Sequence, residues 1–330
     1  QVLLPYESCN LGSINLSRMV TPEGQIDWVK LEKTTKTAIH FLDNVITINK
    51  FPLPEIEEAT LRTRKIGLGV MGFAELLIRL GIPYDSEEAE TLARQLMEAI
   101  SFWSLEASCE LSATRGPFPA FASSVYAQGC IPLSALNEAA NRRIKEDSQS
   151  AICSLQFDWD GLRERIQRRG LRNATTTTIA PTGTISIIAG TSSGIEPIFA
   201  LAYVRRHILD EDELPEVNPV FEQVAQERGF YTPEIMRRVA EHGSCRGVEG
   251  VPEDVQQIFA TAHDVSPEWH VRIQAASQSY THNAVSKTIN FPHSATVDDV
   301  RRAYLLAHDL GCKGITVYRD GSRESQVLNV

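Results

Sequence analysis

Residues 173–200 constrain the fold more than any other stretch of the chain. They read Asn-Ala-Thr-Thr-Thr-Thr-Ile-Ala-Pro-Thr-Gly-Thr-Ile-Ser-Ile-Ile-Ala-Gly-Thr-Ser-Ser-Gly-Ile-Glu-Pro-Ile-Phe-Ala. From 175 to 179 every side chain is β-branched, which marks a buried strand. Pro181 and Gly183 break that strand in a tight turn. Thr182, Thr184 and Ser186 then present hydroxyls and backbone N–H groups where a short helix can begin. Free amides and the positive end of a helix dipole attract phosphate. Ala180, Pro181, Thr182, Gly183, Thr184, Ile185 and Ser186 are therefore a candidate anion cradle. A threonine-rich strand followed by an ordinary capped helix is the plain alternative, and the local pattern leaves both open.

A chain of 330 residues buries a sizeable core, as one large domain or two ordinary ones. Its net charge of −10 argues against a nucleic-acid backbone as partner, which calls for a basic face. A nucleotide is still admitted, because its phosphates need only a local cradle. No apolar run is long enough to span a bilayer; the best candidate, 185–204, contains Glu196 and Pro197. The six cysteines, at 9, 109, 130, 153, 245 and 312, form no Cys-x-x-Cys pair, so neither a disulfide scaffold nor a zinc site is expected. His263 and His270, seven apart, fit no common zinc spacing and read as surface or capping histidines. With no signal peptide visible, the expected compartment is the cytoplasm.

Helical spacing is expected over 28–48 and 68–80, and a long helix capped by Asp85 or Ser86 runs to about 113. Residues 133–152 read as polar helix and loop, 159–170 as a basic helix, and 211–250 as acidic surface helices. A helix at 268–283, a strand at 285–291, a helix capped by Thr296 and a last strand within 311–318 complete the pattern. Strands alternating with helices predict an α/β chain with a largely parallel sheet. Gly67-Leu-Gly-Val-Met-Gly72 spells the dinucleotide fingerprint, but the polar Arg62-Thr-Arg-Lys-Ile before it is a poor central strand. The glycines are read instead as close-packing positions within a helix.

Several of these segments resemble class II, adenosylcobalamin-dependent, ribonucleotide reductases. Residues 173–200 are similar to the family's phosphate-binding turn. Pro5-Tyr-Glu-Ser-Cys-Asn-Leu-Gly-Ser-Ile-Asn-Leu16 resembles the string that follows the active-site loop, and 261–272, 283–292 and 311–323 match more of the family. The strongest matches are 1–16, 173–200 and 283–292. The family shows Asp where His282 stands, and Tyr318 is preceded by Val317 rather than by the second tyrosine of the class I radical relay. Tyr318 is accordingly read as a packed strand-end aromatic.

The resemblance implies a fold and a chemistry. The fold class would be α/β, with residues 1–330 forming the second half of a ten-stranded α/β barrel and the N-terminal half and effector region absent. The reaction would be reduction of ribonucleotides to 2′-deoxyribonucleotides, with adenosylcobalamin generating a thiyl radical. Cys9 would be one of two cysteines that reduce the substrate and close to a disulfide. Its partner, the radical cysteine and a general-base glutamate would all precede Gln1. A ribonucleotide substrate, a complementing N-terminal half, a thioredoxin-like reductant and a homodimeric parent enzyme follow as expected partners, with no metal, membrane or nucleic acid. Two rivals stay open: a non-catalytic nucleotide-binding half that works only with a partner chain, and a nicotinamide-dependent oxidoreductase built on Gly67 to Gly72.

Overall fold

The computed structural model describes residues 3–136, 155–205 and 214–322, with only the backbone described at 203–205 and 214–216. Strand β1 (Asn10–Asn15) shows how local chemistry sets the layers. Asn10 donates from Nδ2 to the Leu42 carbonyl at 2.8 Å, and a Cβ on Gly12 would meet Leu42 and Leu68 side chains at 3.5–3.6 Å. Ile14 is buried in the main core. The even-numbered residues thus face helix α1 (Trp28–Ile48), and alternation turns Cys9, Leu11 and Ser13 to the opposite side.

Strand β2 (Ile66–Met71) pairs with β1 in parallel, Asn10 opposite Ile66 through Asn15 opposite Met71. Single parallel bridges then join Leu68 to Thr177 and Ile179 to Val285. Three residues after Val285 begins β5 (Thr288–Phe291), which pairs in parallel with β6 (Thr316–Arg319). Five extended segments therefore follow one another in the order β1, β2, 175–179, 285–291, β6, all parallel. Among the described residues the sheet is open. The segment 175–179 is extended as expected, but it makes single bridges rather than a regular ladder.

The expected helix at 68–80 is a correction. The first part is β2, whose six residues are all buried, and a helix, α2 (Phe73–Leu80), starts only after Gly72 turns the chain at φ +75°. Ile66, Leu68 and Val70 alternate with Gly67 and Gly69, a period of two rather than 3.6. The glycines are needed by the sheet: a Cβ on Gly69 would lie 2.1 Å from the Thr178 carbonyl oxygen. Gly67 and Gly69 are spent on strand contacts instead of a phosphate-binding turn, which removes the dinucleotide fingerprint and its rival reading.

The long helix α3 (Glu87–Arg115) is capped by Ser86, whose hydroxyl accepts the Ala89 amide at 3.1 Å. One face carries Ser101, Ser104, Ser108 and Ser112, all buried. Ser104 shares a 2.7 Å hydrogen bond with Thr176, Ser108 donates to Asn173 Oδ1 at 3.0 Å, and Ser112 donates to the Arg169 carbonyl at 2.8 Å. This serine row holds segment 173–177 against the helix. Behind it, buried Asp43 collects Arg64, Arg115 and Arg172, tying α1 to both ends of the segment's approach.

Two helices are present within 211–250 as expected, but a strand at Leu214–Val217 comes before them and their inner faces are buried. A short antiparallel pair, β3 (Ala202–Arg205) with β4 (Leu214–Val217), precedes α4 (Pro219–Glu227) and α5 (Pro233–His242), and these build a satellite core around Phe221, Val239 and Phe259. Helix α6 (Pro267–Gln278) and the Thr296-capped α7 (Val297–Asp309) flank β5 and β6. The basic helix is present at Trp159–Arg169. The polar helix and loop expected over 133–152 lie largely outside the described residues.

Candidate functional site

Residues 178–181, 284–287 and 314–316, with Leu11, enclose a cavity of about 370 Å³. Small side chains at Ala180, Ala284, Ser286 and Gly314 leave the space open, and the volume suits a ligand of nucleoside size. Thr178 donates from Oγ1 to the Ala284 carbonyl at 2.9 Å, linking two of the walls.

Of the seven candidate cradle residues, Ala180 and Pro181 line this cavity. The other five continue around the turn into a short helix at Gly183–Ala189, so the expected helix start is present. Thr182 sits at its N-cap with φ +55°, a strained conformation for a β-branched residue. The hydroxyls do not all point outward. Thr182 Oγ1 accepts the Gly194 amide at 2.8 Å, and Ser186 Oγ donates to the Gly183 carbonyl at 3.2 Å and shares a 2.9 Å bond with Ser193. Both side chains are buried, whereas Gly183, Thr184 and Ile185 are exposed. What the turn offers a ligand is therefore its first-turn backbone amides, which have no partner in the helix itself, and the Thr184 hydroxyl.

Cys9 is half-buried just before β1, on the face that Leu11 presents to the cavity, and its thiol donates to the Asn10 carbonyl at 3.3 Å. The chain leading to it is fastened by Glu7. That buried carboxylate accepts Lys65 Nζ, Thr63 Oγ1 and the Leu4 amide, each at 2.6 Å. Burial pushes the Glu7 pKa up, but these partners outweigh it and hold the carboxyl below its ordinary value. The other described thiols are placed differently. Burial pushes Cys245 up to about 12 and Cys312 up to about 11, and raises Cys109; Cys130 is exposed, and Cys153 lies outside the described residues.

Sequence reasoning missed the groups that hold the turn. Glu75, in the first turn of α2, accepts the Ser192 amide at 2.7 Å, Ser192 Oγ at 2.5 Å and Thr191 Oγ1 at 3.1 Å. Tyr84 donates to the Ile195 carbonyl at 2.7 Å. Glu196 accepts the Thr288 amide at 2.7 Å and pairs with the fully buried Lys287. His270 is a further correction, since it is neither at the surface nor a cap. It is fully buried, with Nε2 donating to the Ala262 carbonyl at 3.1 Å and Nδ1 accepting Lys287 Nζ at 2.6 Å. Burial and the adjacent ammonium keep it well below the usual histidine range. His263 is exposed, as expected. A lone Glu after Ile and a lone Lys after Ser carry no local signal of such a cluster; only the meeting of distant segments shows it. Among the described residues no group of His, Cys, Asp or Glu could hold a metal ion, and no helix is long and apolar enough to cross a membrane.

The ribonucleotide reductase barrel domain matches residues 1–318. A vitamin B12-dependent ribonucleoside-diphosphate reductase of Thermoplasma acidophilum is 50% identical over 99% of this chain and 38% of its own length. One from Mycobacterium tuberculosis (strain H37Rv) is 48% identical over 99% of this chain and 40% of its own length. The ribonucleoside-diphosphate reductase subunit alpha of Chlamydia muridarum is 35% identical over 82% of this chain and 26% of its own length. The chain thus spans about two fifths of the vitamin B12-dependent relatives it matches. With the family's barrel domain matched from Gln1 to Tyr318, this chain belongs to the ribonucleotide reductase barrel-domain family.

Proposed function

We propose that the cavity is the ribose site of an adenosylcobalamin-dependent ribonucleotide reductase, with the substrate phosphate on the turn 180–186 and Cys9 as one of the two reducing cysteines. One observation carries the reading. The three segments that most resemble the family, 1–16, 173–200 and 283–292, are far apart in sequence and meet at one cavity through Leu11, 178–181 and 284–287. In this reading the five parallel segments are one half of the ten-stranded barrel, and the open side of the cavity receives the other half.

The chemistry asked of this chain is limited and balances. Replacing the 2′-hydroxyl of a ribonucleotide by hydrogen consumes two electrons and two protons and releases water. Two thiols supply both as they close to a disulfide, Cys9 with a second cysteine that the resemblance places before residue 1. A thioredoxin-like dithiol then reopens that disulfide. The phosphate is held by the amides of Gly183, Thr184 and Ile185, favoured by the helix dipole although the whole chain carries −10. When bound, the cobalamin supplies the radical that starts the reaction. A corrin ring is much larger than this cavity.

The test is made on the full product of the gene, since the proposal needs more than this chain. After one turnover without added reductant, mass mapping should find Cys9 in a disulfide. Cys9→Ser should stop repeated turnover, because serine forms no disulfide. Cys109→Ser and Cys245→Ser should retain it, because buried thiols with raised pKa values are poor nucleophiles. A Cys9→Ser enzyme with normal repeated turnover removes the assignment.

A further inference from the structure

Lys287 is the most deeply buried charge at the cavity. Its side chain is fully buried, yet the residue belongs to the cavity wall 284–287, the neighbour of 178–181, where Ile179 donates to the Ala284 carbonyl at 3.2 Å and accepts the Ser286 amide at 2.8 Å. An ammonium has three N–H donors, and here three acceptors take them: Glu196 Oε2, His270 Nδ1 at 2.6 Å and the Thr288 carbonyl at 2.6 Å. Nothing is left over for a substrate, so Lys287 is not a phosphate ligand. The second oxygen of Glu196 accepts the Thr288 amide at 2.7 Å. One carboxylate therefore grips both the side chain of residue 287 and the backbone of residue 288, at the point where the wall 284–287 becomes β5.

Glu196 closes the other end of the loop that begins at the phosphate turn. Residues 183–189 form the short helix, Glu75 fixes Thr191 and Ser192, Tyr84 fixes Ile195, and Glu196 follows at once. The Thr182 side chain accepts the Gly194 amide, so the turn is connected directly to the last residues before Glu196. Movement of Glu196 would be passed through Gly194 to the N-cap of the phosphate helix. His270 completes the arrangement: its Nε2–H is committed to Ala262, which leaves Nδ1 as an acceptor for the ammonium.

Resting on the phosphate reading above, we propose that the Glu196–Lys287–His270 cluster is a positioning device for substrate phosphate, fastening the far end of the loop that carries the turn 180–186 to the neighbouring wall 284–287. The cluster acts through geometry, because the Glu196 and Lys287 charges cancel and no donor of Lys287 reaches the cavity. Its loss should weaken the grip on phosphate while leaving contacts to sugar and base intact.

The experiment compares binding of a ribonucleoside diphosphate with binding of the matching nucleoside, on the full product of the gene. Removing Lys287 alone strands a buried carboxylate and risks unfolding. Two better-tolerated variants are used: Lys287→Met with Glu196→Gln, which removes both charges at near-constant shape, and Glu196→Asp, which keeps both charges but withdraws the carboxylate by one methylene. In each, diphosphate binding should weaken about tenfold, near 1.4 kcal/mol, with nucleoside binding unchanged, and KM should rise with kcat retained. A folded variant of either kind that discriminates diphosphate from nucleoside as the wild type does overturns the positioning role alone. A wild-type protein that binds both equally removes the phosphate reading, and this inference with it.

Discussion

Acidification from pH 6.5 to pH 5 should destabilise this fold through two histidines, and the size of the effect follows from their burial. His270 is fully buried and accepts a hydrogen bond from an ammonium. His282 is nearly so, with Nδ1 shared between Thr177 at 3.0 Å and Thr176 at 3.3 Å, and burial with the charge of Lys313 pushes it down to about 3. Both rings are thus neutral in the native state well below pH 6.5. In the unfolded chain both titrate near 6.5. Below that pH the unfolded state binds the extra protons, so stability falls as pH falls. Each histidine contributes a slope of about 1.4 kcal/mol per pH unit, and at pH 5 the pair should have removed about 4 kcal/mol. That is a large share of the 5–15 kcal/mol typical of a domain.

The pH window separates the histidines from the buried carboxylates. Hydrogen bonds and charge from Arg64 outweigh burial at Asp43, and Glu7 is likewise held below its ordinary value. A depressed carboxylate contributes stability above its unfolded pKa and loses it as pH falls through that value, which for these residues means below about 4.5. Urea midpoints measured in half-unit steps between pH 7 and pH 5 should therefore be flat above 6.5 and fall steeply beneath it. His282→Asn and His270→Gln should each remove about half of the slope. A midpoint that does not move between pH 6.5 and pH 5, or a slope unchanged in both variants, refutes the reasoning.

Other outcomes follow from single contacts. Gly69→Ala places a methyl 2.1 Å from the Thr178 carbonyl and should cost about 3 kcal/mol or more, whereas Gly12→Ala meets Leu42 and Leu68 at ordinary contact and should be tolerated; thermal melts of the two alanine variants decide it. Asp43→Asn leaves Arg64 buried without its carboxylate, and urea unfolding should show a loss of about 3–5 kcal/mol. Glu75→Gln should weaken the hold on Ser192 and Thr191 by about 1–2 kcal/mol, read as faster amide hydrogen exchange at 190–195 with the exchange of β1 unchanged.

The parallel α/β character and the helix caps, Thr296 and one of Asp85 and Ser86, were legible because each depends on neighbours in sequence. The strand at Ile66–Met71 was not, because glycine has no side chain to show alternation and the reason for Gly69 is a carbonyl 109 residues further on. The candidate cradle is read from its hydroxyls, yet Thr182 and Ser186 spend theirs inside the loop, and the exposed groups of the turn are mainly backbone amides. His270 looked superficial because Ser266 and Glu268 near it in sequence are exposed; its partner Lys287 comes from the segment just before β5.

In the proposed reading, an acidic chain offers an anion a site without presenting a basic face. Two ion pairs lie near the cavity, Glu7 with Lys65 and Glu196 with Lys287, and Lys313 is held by the backbone carbonyls of residues 281–283. The two pairs carry little net field into the cavity, and the carboxylates fasten backbone to backbone, Glu7 ahead of Cys9, Glu75 and Glu196 behind the turn. A rigid backbone can then aim amides and one thiol at a fixed place, which is what electrostatic preorganisation requires. On the phosphate reading, the carboxylates beside the turn act through geometry: Glu7 and Glu196 are neutralised by Lys65 and Lys287, Glu75 accepts from Thr191 and Ser192, and together they keep the amides of Gly183, Thr184 and Ile185 in line.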